Sequence, residues 1–307
     1  MSDIILLHYP TSPYCEKVRA MLGYTGVRWG SVTVVEKPPR PELYLLAGGY
    51  RRVPVAQIGG DIFCDSKAIA TEIARMSGKP GLAMETCDRE VAAYANSAES
   101  EFMLACLGSA FGGNMIKKML KMYSVLDFFR LTWDRIDMVR KSSLDMPSGN
   151  DAKARVRDHL QEMEKRLEGG FLFGHEPTIA DFAVYHGVWY VRDLAELDLV
   201  DAYPGVTSWM DRIKAFGHGN MTELSAAKAI EMAAEEPPRP VPADAQDGQW
   251  IGQPASVAPS DYWKEPVNGV LVGSTAHSWI LERRLNASST VNVHFPKQGF
   301  VLETGMW

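Results

Sequence analysis

The chain has 307 residues, of which 46% are hydrophobic and 23% charged, with a formal net charge of -6. That length and apolar content suit two domains with real cores and a small addition, and the acidic balance with no evident basic face argues against nucleic acid as a partner. No apolar run reaches membrane-spanning length, Met1-Ser2-Asp3 lacks the basic start of a secretory signal, and Cys15, Cys64, Cys87 and Cys106 show no C-x-x-C spacing; these features predict a cytoplasmic protein with reduced thiols, no metal site and no membrane partner.

The first predicted element is a short apolar strand, Ile4 to Leu7, which runs into Ser12-Pro13. Pro13 suits the first helical position because its missing N–H is one of those left unpaired there, so Ser12 falls at the N-cap. Taken alone, Ser12 reads as an ordinary cap. The same place would also stabilise a thiolate, through unpaired backbone N–H groups, the helix dipole and the serine hydroxyl. Further on, Val55 to Ile58 and Ile62 to Cys64 read as two strands joined by Gly59-Gly60. Pro54 heads the first of them, where proline is tolerated and an X-Pro bond can be cis. Asp65-Ser66 then precede an amphipathic helix carrying Ile69 and Ile73, so two more acceptors stand at a helix start.

Strand, Ser-Pro helix, strand, Val-Pro, hairpin, Asp-Ser and helix, in this order over residues 4 to 78, resemble the N-terminal thioredoxin-like domain of the glutathione S-transferases. The resemblance implies that Ser12 contacts the sulfur of glutathione and that Val53, ahead of Pro54, pairs its backbone with the cysteinyl unit. It also implies that Asp65 and Ser66 bind the γ-glutamyl group. A basic residue would meet the glycine carboxylate, with Arg40 and Arg51 at suitable spacings and Lys37 a third choice. Ser12-Pro13-Tyr14-Cys15 also looks like the Cys-Pro-Tyr-Cys of glutaredoxins with the first cysteine replaced, which removes the low-pKa nucleophile and points to activation of glutathione's own thiol. Thr11 is the alternative hydroxyl donor.

From Asp88 to about Met138, apolar residues recur at three- and four-residue spacing (Val91, Tyr94, Ala98, Phe102, Ala105), which predicts long packed helices with a kink or loop near Gly108 and Gly112-Gly113. A second helix is expected from Ala152 to Glu168. Thr178 and Asp181 form an N-capping pair ahead of another apolar run. Their place after Phe171-Leu172-Phe173-Gly174 resembles the buried capping box of the transferases' helical domain, a structural role.

The resemblance ends near residue 232. A charged, Pro-rich stretch (Glu235-Glu236-Pro237-Pro238-Arg239-Pro240-Val241-Pro242) reads as an extended linker. Val270 to Val272, Trp279 to Leu285 and Val291 to Phe295 then read as strands of a small appendage. An appendage of this size buries little core alone, so it is expected to pack on the helical domain or a second subunit, with Trp250, Tyr262, Trp263 and Trp279 serving that packing.

The expected architecture is therefore the glutathione transferase fold with a small β-rich C-terminal appendage. It comprises an α/β thioredoxin-like domain (1–80), an all-α helical domain (86–232), a linker (233–248) and a β-rich extension (249–307). The resemblance implies a glutathione transferase-like enzyme, a homodimer, with glutathione as co-substrate and a small electrophile as partner. The electrophile would sit between the domains, near Phe102, Met103, Cys106 and Phe111. The rival readings are a glutathione-dependent disulfide reductase and a noncatalytic interaction module working through the extension.

Overall fold

The computed structural model describes residues 3–110 and 112–305. Its first part is β1 (Ile4–His8), α1 (Pro13–Thr25), β2 (Trp29–Thr33), α2 (Pro41–Ala47), β3 (Val55–Ile58), β4 (Asp61–Cys64) and α3 (Ser66–Ser77). Strand β1 pairs in parallel with β2 and antiparallel with β3, and β3 pairs antiparallel with β4. Both faces of this sheet are covered, which is why β1 is a continuous apolar run. Ile4 and Leu6 point into a core shared with α1, α3 and the helical domain, and Ile5 and Leu7 into a second core on the opposite face.

The helical part begins with α4 (Arg89–Ser97), which passes through one π-helical turn into α5 (Met103–Ser109). Gly108, near the end of α5, packs on the loop that precedes the helix beginning at Gly149; a Cβ there would lie 2.0 Å from the carbonyl oxygen of Pro147. Then follow α6 (Gly113–Met122), α7 (Val125–Lys141), α8 (Gly149–Arg166), α9 (Ile179–Trp189) and α10 (Pro204–Ala215). Helix α9 is buried on all sides from Ile179 to Val188. At its start Asp181 accepts from the backbone N–H groups of Leu172 and Thr178 and from the indole N–H of Trp209, each at 2.9 Å. The stretch expected to pack throughout does not: Ile116, Leu120, Leu126, Phe129, Trp133 and Ile136 of α6 and α7 are exposed.

Two expectations change beyond α10. The helical domain was expected to reach residue 232, but its last stretch returns to the sheet. Strand β5 (Met221–Glu223) pairs in parallel with β2, and α11 (Ala226–Glu235) buries Ala229 and Ala233 in the second core. The small side chains let the helix lie close, and Gln57 donates to the Ala229 carbonyl oxygen at 2.7 Å.

The extension, expected on the helical domain or a second subunit, instead continues the N-terminal sheet. It contains β6 (Pro254–Pro259), β7 (Val267–Ser274), β8 (Ser278–Arg284), β9 (Thr290–Pro296) and β10 (Phe300–Thr304). Strand β9 pairs in parallel with β4, giving one ten-stranded sheet in the order β10-β6-β7-β8-β9-β4-β3-β1-β2-β5. The physical reason is the otherwise unpaired edge of β4, whose backbone groups need partners. Asp61 marks the seam. It accepts from His294 Nε2 at 2.6 Å and from Arg239 N and Nε at 3.0 and 2.8 Å. Against burial, which would raise it, these two neighbours hold its carboxyl below the usual range. Leu271, Leu281, Val293, Phe295 and Phe300 join Ile5, Leu7, Val55 and Ile62 in one apolar cluster, so the extension has no need of a separate core.

Candidate functional site

The register Leu7↔Val55↔Cys64 places the end of β1, the start of β3 and the end of β4 side by side at one end of the strands. The structure thereby brings Ser12, Val53-Pro54 and Asp65-Ser66 to the same end. Ser12 caps α1, with Pro13 as its first residue; its Oγ accepts from the Cys15 backbone N–H at 3.3 Å and the residue is 3% exposed. Among the described residues the Ser12 hydroxyl has no oxygen or nitrogen acceptor for its own proton; the Cys15 sulfur is the group it hydrogen-bonds. Thr11 differs, because its hydroxyl donates to Glu36 Oε2 at 2.7 Å. Burial pushes the Cys15 thiol up, against a hydrogen bond from Ser12, so Cys15 does not rebuild a reactive pair.

The Val53-Pro54 bond is cis. Asp65 caps α3 with Oδ1 accepting from Lys67 N at 2.9 Å and has a φ of +80°, in the left-handed region that non-glycine residues rarely occupy. Ser66 Oγ accepts from Lys17 Nζ at 3.4 Å. Lys17 is fully buried and paired with Glu99 of the helical domain, and Lys67 Nζ stands 3.7 Å from the same carboxylate. Burial would raise Glu99, yet Lys17 and Lys67 hold it below its ordinary value. A cavity of about 270 Å³ lies beside these lysines, lined also by Asn96, His277 and Lys297.

The three basic residues suggested for the glycine carboxylate are all engaged. Arg40 is buried, and its guanidinium donates to the carbonyl oxygens of Val35 at 2.7 Å, Arg51 at 2.6 Å and Glu36, so it braces its own loop rather than entering the cleft. Lys37 pairs with Asp127 of α7 at 2.9 Å. Arg51, two residues before Val53, is held by Asp134 of α7 at 2.9 Å and by Glu265 of the extension at 2.7 Å.

Several site residues escaped the sequence reading because they arrive from distant parts of the chain. Glu36 also accepts from Tyr123 and stands 3.7 Å from Arg135, whose Nη2 donates to the Tyr9 hydroxyl at 3.4 Å. Burial pushes the Tyr9 phenol up to about 12. Arg51 and Arg135 both lie over the Trp263 ring, at 5.0 and 4.8 Å. A charged pair at helical spacing, Asp134 and Asp127 on one side of α7, was the only available hint. Phe102, Met103 and Cys106 are buried in the core, with Phe102 stacked on His159 at 4.0 Å, and line no open cleft. Phe111 lies outside the described residues.

Residues 6–81 match the model of the glutathione S-transferase N-terminal domain, and residues 134–212 match that of the C-terminal domain. A GST-like protein from Pseudomonas syringae, known from its crystal structure, is 33% identical to this chain, covering 98% of it and 99% of its own length, with a TM-score of 0.78. The chain belongs to the glutathione S-transferase family. That coverage takes in the extension. Two plant transferases share the fold over less of the molecule. The glutathione transferase F2 of Populus trichocarpa is 17% identical over 75% of this chain and 98% of its own, with a TM-score of 0.50. The Tau class enzyme MiGSTU of mango, Mangifera indica, is 15% identical over 75% and 97%, also at 0.50. No curated protein matches this family member. Among the described residues, no helix is long and apolar enough to cross a membrane, and no group of His, Cys, Asp and Glu is arranged to hold a metal ion.

Proposed function

We propose that this protein binds glutathione as co-substrate and activates its thiol for attack on a small electrophile, working as a cytoplasmic homodimer. The observation that carries the reading is the Ser12 hydroxyl, at the N-terminus of α1 with no oxygen or nitrogen acceptor for its proton among the described residues, at the same end of the strands as Val53 and Asp65-Ser66. In this reading Val53 pairs with the cysteinyl backbone, with Pro54 shaping that loop. Asp65 takes the γ-glutamyl ammonium, Ser66 the α-carboxylate, and Arg51 the glycine carboxylate. The thiol proton leaves to solvent, Ser12 donates to the thiolate, and the sulfur electron pair forms a bond to the electrophilic carbon as the leaving group departs with its own pair. Lowering the thiol pKa by about two units takes ~2.7 kcal/mol of differential stabilisation. The helix start and one charge-assisted hydrogen bond are of that order together. Thr11 is disfavoured as the donor because Glu36 already takes its proton.

Asp65→Ala tests the binding half. Loss of a charge-assisted partner for a buried ammonium is expected to weaken glutathione binding by ~1.5–3 kcal/mol, about tenfold or more, in calorimetry. Unchanged affinity would remove Asp65 from the site.

A further inference from the structure

The loop between β6 and β7, residues 260–266, leaves the extension and reaches Arg51, Arg52 and Arg135. Its anchor is Asp261, whose carbonyl oxygen accepts from Ser143 N at 3.0 Å and whose carboxylate pairs with Arg52. The Arg52 guanidinium lies 3.7 Å from the centre of the Tyr262 ring. Trp263 follows with a φ of +44°, a left-handed conformation that a bulky residue adopts only when its surroundings enforce it. That turn sets the indole under both Arg51 and Arg135. Two residues later Glu265 reaches Arg51.

Arg51 is thus an arginine fork with each branch holding an internal carboxylate, Asp134 on Nη2 and Glu265 on Nη1. Such a fork is what recognises a ligand carboxylate. With both branches of the fork occupied, an incoming carboxylate reaches the guanidinium only if one of the two internal carboxylates leaves. The two differ in what leaving costs. The Glu265 side chain is 49% exposed on a loop, whereas that of Asp134 is 26% exposed on a helix. Glu265 exchanges for water more readily.

We propose that Glu265 is a built-in stand-in for the glycine carboxylate of glutathione: the extension latches Arg51 in the free protein, and the ligand binds by displacing Glu265 while Asp134 and Trp263 keep the guanidinium aimed. The extension then belongs to the site and sets its affinity, selecting ligands with a free carboxylate at that end. This proposal rests on the glutathione reading above.

The test is calorimetry on the full chain at low ionic strength, with glutathione and with its glycine ethyl ester as probes, against wild type and Glu265→Gln. The near-isosteric change removes the competing charge. Glutathione is expected to bind the variant about two- to fivefold more tightly, the range for a half-exposed ion pair, and the ester to bind both proteins equally. Backbone amide exchange in residues 260–266 is expected to rise when wild type is saturated with glutathione. Equal glutathione affinities, weaker binding by the variant, or the same gain for the ester would overturn the latch and leave the glutathione reading standing. If glutathione binds neither protein, latch and reading fall together.

Discussion

In α8, Val156, Leu160 and Met163 are fully buried, whereas in α7 the side chains of Leu126, Phe129, Trp133 and Ile136 are 43–69% exposed. Both sets have the same three- and four-residue spacing. What differs is the partner: α8 lies against α5 and α10, while α7 is tied to the rest of the molecule chiefly through polar groups at the cleft, namely Lys37–Asp127, Arg51–Asp134 and Arg135 with Tyr9, Glu36 and Trp263. Apolar periodicity therefore identifies a helix face without saying what covers it. One half of the helical domain is held by its core and the other by the site it overhangs.

The largest expected effect is in the buried half. Asp181→Ala leaves the N–H groups of Leu172, Thr178 and Trp209 without their acceptor, in a place where Asp181 is 0% exposed. Destabilisation by roughly 3–5 kcal/mol is expected in urea unfolding. A loss below about 1 kcal/mol would mean that the contrast between the two halves is not energetic.

The next effect depends on pH. Burial lowers His186 on α9, His159 on α8 and His8 on β1 to about 4. Each is kept neutral in the folded chain, while the unfolded chain protonates it near its ordinary 6.5. Their contribution is thus fully present above pH 6.5 and is lost as pH falls toward 4, roughly 3 kcal/mol per histidine. His186→Gln is expected to flatten that slope in unfolding curves recorded from pH 7 to 4. An unchanged slope would show that His186 is not held neutral by the buried core.

The smallest effect sharpens the comparison from the other side. Trp133 is 69% exposed, so Trp133→Ala is expected to change stability by less than about 0.5 kcal/mol, despite the size of the side chain. A loss of several kcal/mol in thermal unfolding would mean that a partner surface covers α7 in solution.

Local features of the fold were legible where the chemistry is local. Ser12-Pro13 marks a helix start through its N-cap and a proline at the first position, Gly59-Gly60 marks a hairpin, and Thr178 with Asp181 marks the cap of α9. Each of these is decided within a few residues. The placement of the extension was not legible, because pairing of β9 with β4 joins residues more than two hundred apart and leaves no periodic trace. Strands β6 and β10 were missed for a related reason. Pro254 and Pro259 bracket β6, and proline reads as a strand breaker until the strand proves to end there. In the site, the half carried by residues 12 to 66 was named from motifs. The half supplied by Tyr123, Asp134, Arg135, Trp263 and Glu265 depends on packing of α7 and the extension over that end of the strands, which single residue types do not announce.

The proposed role of Ser12 in activating glutathione's thiol is tested most directly by the ultraviolet thiolate absorbance of the bound tripeptide, titrated against pH in wild type and Ser12→Ala. The hydroxyl proton has no oxygen or nitrogen acceptor among the described residues, and the other contacts proposed for glutathione are at Val53, Asp65, Ser66 and Arg51. The account predicts that the bound thiol titrates at higher pH in Ser12→Ala, by about one unit for a lost charge-assisted bond of ~1.5 kcal/mol or more, with glutathione affinity nearly unchanged. Coincident titrations of the two proteins would contradict it and leave Ser12 a helix cap.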